Sequence, residues 1–224
     1  MNLKEFTGEQ YQQFAIFALQ GLFLLTAIIT GFQGNFETMF ISILGFLLIF
    51  LPLIIEKSLK IDLPVAYELL IAVFIFATVF MGEIGDAYNK FWWWDIVLHA
   101  SSGVLLGYVG FLVLYVLYRQ KKLIASASLV AFFTLVTGLA SAGVWEIFEF
   151  AADMLLGTSM QRGAVDTMSD IIVASIGSVI AAVVAYVHIK WPQRSLFRSF
   201  IKDFFDSNPT YKRATSRKGD SNDS

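Results

Sequence analysis

The chain has 224 residues, 57% of them hydrophobic and 15% charged, with a formal net charge of −2 and a mean hydropathy of +0.67. A soluble domain carries nearer a quarter charged residues, so composition places this chain in the membrane class. It has no cysteine, which excludes disulfides, thiolate nucleophiles and zinc–thiolate sites. It also has no basic stripe with interleaved aromatics, so membrane lipids are expected as partners and nucleic acid is not.

The opening segment, residues 1–13, is too polar for a signal peptide, and no small-residue cleavage site follows the first apolar run. It is read as a cytoplasmic segment ahead of a retained helix. Six apolar runs then follow, each near the roughly 20 residues that cross a bilayer. They extend over about Phe14–Thr30, Phe36–Ile55 with Pro52 near its end, Leu63–Met81, Trp93–Tyr118, Leu123–Leu156 and Asp166–Ile189. The expected fold is all-α: a polytopic six-helix transmembrane bundle over residues 14–190. At about 1.5 Å per residue the fifth run exceeds the hydrocarbon core, so it is expected to tilt or to bend near Gly138 or Gly143. SLFRSFIKDFF repeats its apolar residues at helical spacing, and residues 191–206 are expected to form an amphipathic helix on the cytoplasmic surface. Residues 207–224 are polar and expected to be disordered.

Basic residues set the expected orientation. Lys57, Lys60, Arg119, Lys121, Lys122, Lys190, Arg194, Arg198 and Lys202 flank one set of helix ends, and Lys90 and Arg162 the other. The positive-inside rule then puts both termini in the cytoplasm and the protein in the cell membrane.

With that topology, acids gather at the outer side. Glu83 and Asp86 close the third run, Asp95 and His99 open the fourth, Glu146, Glu149 and Asp153 lie in the outer part of the fifth, and Asp166 and Asp170 open the sixth. Spacings of three, four and seven put each set on one helix face. Such stripes avoid lipid and turn inward. So many carboxylates cannot all remain ionised unaided; either some are protonated or a cation compensates. Oxygen ligands with one histidine nitrogen suit a divalent metal ion, and facing helices with Glu and His at these spacings are how bundles build metal sites. His99, Glu146, Glu149, Asp166 and Asp170 are the expected ligands.

Plainer readings compete. Glu83, Asp86 and Asp153 lie near helix ends, where solvated loop acids are common, and Asp166 suits a helix N-terminus. His188 is read as an interfacial residue beside Trp191, the Trp92–Trp94 run as an aromatic belt, and Gly103 with Gly107 as a helix-packing pair. Glu68 is isolated and unassigned.

FWWWDIVLHASSGVLLG, followed by WEIFEFAADMLLGTSMQRGAVDTMSDIIVASIGS, resembles the YjdF-like inner-membrane family and, more distantly, VanZ-like membrane proteins. The resemblance covers about Gly82 to Ser178 and falls on Asp95, His99, Trp145, Glu146, Glu149, Asp166, Thr167, Asp170 and Gly177. It implies envelope or lipid-linked chemistry by analogy only. Many VanZ-like sequences have a lysine just after the first aspartate; Ile96 stands there in this chain, so that lysine's role does not transfer.

Three functions remain in view. The first is a metal-dependent enzyme acting on a lipid-linked phosphate, with catalytic roles for Asp95, His99, Glu146 and Arg162. Here Asp95 orients His99, and Arg162 clamps phosphate. The second is an ion- or proton-coupled transporter, although no inverted repeat is evident. The third is a non-catalytic scaffold, for which buried charge is poorly suited.

Overall fold

The structure, a computed structural model, describes residues 7–212. Residues 1–6 and 213–224, including most of the tail expected to be disordered, lie outside the described residues. All regular structure among the described residues is helical, and six helical segments are long and apolar enough to cross a membrane. The chain forms two compact units that divide between Trp94 and Asp95.

The first unit contains three of the spans. Helix α1, Gly8–Phe32, starts six residues before the apolar run, because Thr7 and Gln10 form a reciprocal capping box. Asn35 caps α2, Phe36–Leu48, by accepting from the Thr38 amide. The span then breaks at Ile49–Phe50 and resumes as α3, Leu51–Leu59. Pro52 accounts for the break: it donates no amide hydrogen, and its ring crowds the carbonyl of Leu48. Helix α4, Val65–Ile75, continues without interruption as a π-helix, Phe76–Ile84. That continuation carries the third span three residues past the apolar run that ends at Met81. Phe23 is fully buried at the centre of the unit. Its ring meets Phe76 and Phe80 edge-on at centroid distances of 6.5 and 5.5 Å, and it lies so close to Gly45 that a side chain there would strike it. Ile41, Ile49, Ala72, Ile75 and Val79 complete this core. A short helix, α5 (Ala87–Lys90), follows Asp86, which adopts a left-handed conformation at φ 62°.

The second unit is built on α6 (Trp94–Arg119), α7 (Ala127–Leu156) and α8 (Ala164–Lys190). Ser126 caps α7 through the Leu129 amide, and Gly157 ends it at φ +68°. The helix is not interrupted at Gly138 or Gly143. Gly138 instead lies against Ser178 and Gly103, while Gly143 faces open space.

Small residues let the three helices approach closely. Gly103 on α6 meets the backbone of Ala174, and Gly177 on α8 meets the backbone of Ala100; a Cβ at either would overlap a carbonyl oxygen. Gly107 lies near Ala181 and Thr134 in the same seam. The hydroxyls of Thr134 and Ser178 donate to carbonyls of their own helices, so they pack as small groups. Lipid is as apolar as a leucine side chain, so close backbone packing, not apolar burial, holds such helices together.

After α8 the chain turns through Pro192–Arg194 into α9 (Arg198–Ser207) and a single turn, α10 (Pro209–Lys212). The expected amphipathic helix is present, and part of its apolar face packs against α6, while Leu196 and Phe200 remain exposed. Phe197 packs edge-on against Tyr108 at 4.6 Å, and Phe205 meets Tyr115 at 6.0 Å. Helix α9 therefore lies along the second half of α6, with Ile201, Phe204 and Phe205 buried.

Candidate functional site

Each of the three helices continues its small-residue stripe into one ionisable group. On α7 the buried positions Thr134, Gly138, Ala142 and Glu146 recur every four residues. On α8 Asp170, Ala174 and Ser178 are buried at the same spacing. On α6 Asp95, His99, Gly103 and Gly107 share that interval. Spacing of four holds one helix face, so the acids lie where the seam of small residues reaches the end of the unit. By the rise per residue, Asp170 sits about 9 Å and Glu146 about 15 Å along their helices from that end.

His99 is the hub. Its Nε2 lies 3.3 Å from Asp95 Oδ1 and 3.9 Å from Asp170 Oδ1. Asp95, His99 and Asp170 can each direct one ligand atom so that all three lie within 4.8 Å of one another. With its proton on Nδ1, the imidazole presents an Nε2 lone pair alongside the two carboxylate oxygens, a mixed nitrogen–oxygen set that suits a divalent cation. Glu146 stands beside this group. It is 5% exposed, and neither carboxylate oxygen has a hydrogen-bond partner. His99, Asp95 and Asp166 are close enough to act on Glu146 electrostatically, and the Thr167 hydroxyl lies within interaction range of it. Asp170 feels the same neighbours. Arg162, in the loop between α7 and α8, is 3.9 Å from Asp95 Oδ2 and is exposed at the rim.

The structure thus brings together Asp95, His99, Glu146, Asp166 and Asp170, with Arg162 over them. It places Glu149 differently: Oε1 accepts from Trp145 Nε1 at 2.8 Å, and the residue is not one of the three with converging ligand atoms. Asp153 is a loop staple. It accepts from the Thr158 hydroxyl and from the amides of Met160 and Gln161 at 2.6, 2.8 and 2.9 Å, so the solvated-loop reading gives way to a structural one. Asp86 is tied within its own turn to Asn89 and Lys90, and with Glu83 belongs to the first unit. Gln161 passed unnoticed in the sequence because it carries no charge. Its side chain donates to Thr167 Oγ1 at 3.0 Å, so the same loop also positions the hydroxyl near Glu146. His188, in the last turn of α8, is 3% exposed and packed edge-on against Tyr115 at 5.0 Å and against Phe111 at 5.7 Å.

Six apolar helical spans carrying a buried cluster of ionisable groups define an integral membrane protein. The chain belongs to the family described as predicted membrane protein (DUF2238), whose family model matches residues 15–191. It is also 30% identical over 138 residues to an uncharacterized protein of Thermotoga maritima, covering 61% of this chain and 70% of that relative. No solved structure matches it. Membership is compatible with the YjdF-like resemblance; the more distant likeness to VanZ-like proteins gains no support from it.

Proposed function

We propose that the cluster is a divalent-metal centre in a membrane enzyme acting on a lipid-linked phosphate at the outer face of the cell membrane. The carrying observation is the convergence of ligand atoms of Asp95, His99 and Asp170 to within 4.8 Å of one another, beside the buried carboxyl of Glu146. Buried charge of one sign is retained where a cation or proton answers it. A bound metal would supply Lewis acidity toward water or a phosphoryl oxygen. In this reading Asp95, His99 and Asp170 are the ligands, with Asp166 stabilising the bound charge. Glu146 holds and moves a proton at its carboxylate, and Arg162, exposed at the mouth, meets the phosphate. The placement of this end outside the cell, with both termini inside, follows from the distribution of lysine and arginine.

The test is elemental analysis and thermal melting of the detergent-purified protein, with chelator and with added zinc, manganese or magnesium. Binding to the folded state stabilises by mass action, about 2.7 kcal/mol at a hundredfold excess over Kd. Chelation should therefore lower Tm and metal should restore it. Asp170→Asn and His99→Gln should abolish the response, and Glu149→Gln should keep it. Hydrolysis of polyprenyl or glycerolipid phosphate esters should show the same dependence. A melt indifferent to chelator and metals would sink the metal centre. The unpartnered carboxyl of Glu146 would then favour a proton-coupled carrier, since buried acids also mark ion pathways.

A further inference from the structure

The other end of the second unit carries a separate polar site. Where α6 and α8 finish, the turn after α8 and helix α9 line an open cavity of about 430 Å³. Arg119, Arg198 and Lys202 line it, with Asp206 as the one carboxylate among its lining residues. Lys202 and Asp206 stand 3.8 Å apart, with Lys202 mostly in solvent and Asp206 less exposed. His188 forms part of the wall at 3% exposure, and neither ring nitrogen has a hydrogen-bond partner. Arg119 Nε is likewise buried and unpartnered. Its guanidinium is held over the rings of Tyr115 and Phe205, at 5.8 and 5.3 Å, and donates to the Tyr115 hydroxyl.

Unsatisfied buried donors are costly, and native structures rarely keep them without a partner. Here two such donors, Arg119 Nε and the one N–H of the neutral His188 ring, belong to residues that line one cavity in which arginine and lysine outnumber acid. An oxyanion would answer both donors: it would accept from Arg119 Nε and from the imidazole N–H, and it would balance the cationic excess. Planar guanidinium donors match phosphate oxygens in geometry as well as in charge. The volume suits a small ligand, and Tyr115, Ile201 and Phe205 offer an apolar wall to whatever carries the phosphate. We propose that this cavity binds a phosphate-bearing anion through Arg119, His188, Arg198 and Lys202. A phospholipid head group and a soluble phosphate share this chemistry.

The experiment uses the full chain in phosphatidylcholine nanodiscs, with ionic strength held constant by chloride. One arm titrates inorganic phosphate; the other replaces part of the lipid with phosphatidylglycerol. A rise in Tm in the first arm identifies a soluble ligand, in the second a lipid, and in both a site that takes either. The Arg198→Gln/Lys202→Gln double variant alters solvent-exposed residues and should fold normally. His188→Phe places a ring of similar size among aromatic neighbours. Each variant should weaken the apparent affinity at least tenfold. No rise in either arm, or a rise kept by either variant, overturns the proposal.

Discussion

Glu146 is where the physical argument is sharpest at the scale of single residues. A carboxyl group with both oxygens buried and unpartnered destabilises the fold by about 1–3 kcal/mol even when neutral. Residues retained at such cost generally serve function, and removing them stabilises. Glu146→Leu should therefore raise the stability of the chelated protein by about 1–3 kcal/mol, read by denaturant unfolding in detergent, while eliminating any lipid-phosphate hydrolysis. A loss of stability would instead make Glu146 a structural anchor. The sequence pointed to Glu146 through its depth in an apolar helix, but it ranked Glu149 with it and read Asp153 as a solvated loop acid. What separates them is partnership: Trp145 satisfies Glu149 one turn away, and a loop seven residues on wraps Asp153. Neither partnership follows from periodicity, because Asp153 depends on the path of a loop and Glu149 on a rotamer. The burial of His188 was missed for a similar reason. Its neighbours in sequence, Lys190 and Trp191, suggest an interface, whereas its neighbours in space are aromatics of α6.

At the scale of elements, the seam between α6 and α8 should be the least tolerant part of the second unit. A methyl at Gly177 would overlap the carbonyl of Ala100, and relief requires two helices to move apart. Overpacking of this kind costs roughly 1–3 kcal/mol, and here the displacement would also spread Asp170 from His99. Gly177→Ala should therefore lower Tm and weaken metal binding together. Gly143→Ala is the matched control: nothing lies near it, and alanine is favoured over glycine in a helix by up to about 1 kcal/mol, so that change should be neutral or stabilising. Equal effects at the two sites would refute the close-approach argument. The sequence revealed the glycine pair on α6 but not its extension into the acids. It treated small residues as packing and charged residues as chemistry, although the four-residue interval runs through both on α7 and α8. The spans themselves were legible from hydropathy. Their ends were set by groups that hydropathy does not weigh: the Thr7 cap, the Pro52 break and the π-helical turns to Ile84.

At the scale of the whole molecule, charge asymmetry and the positions of the two polar regions can be tested together. Within the second unit, α6 and α8 begin at the metal-site end and finish at the His188 cavity, while α7 runs the other way. The cavity end carries Arg119, Lys121, Lys122, Lys190, Arg194, Arg198 and Lys202, against Arg162 alone among the lysines and arginines flanking the other end of these helices. Short loops rich in lysine and arginine stay in the cytoplasm, because translocating them is unfavourable, whereas acidic residues exert little control. The asymmetry therefore predicts that the basic cavity opens inward and the acid cluster outward. A reporter active only in the cytoplasm should be active when fused after Lys122 and inactive when inserted near Gly157. A cysteine introduced at Thr158 would report local disruption rather than topology, since Thr158 donates to Asp153; one at exposed Ala164 avoids that bond and the positive φ of Gly163. It should react with a membrane-impermeant maleimide added to intact cells, whereas a cysteine at Lys121 should react only after lysis. The reverse pattern would invert both sites at once, putting the acid cluster in the cytoplasm and ending the case for an envelope substrate, while leaving the geometry of each site unchanged.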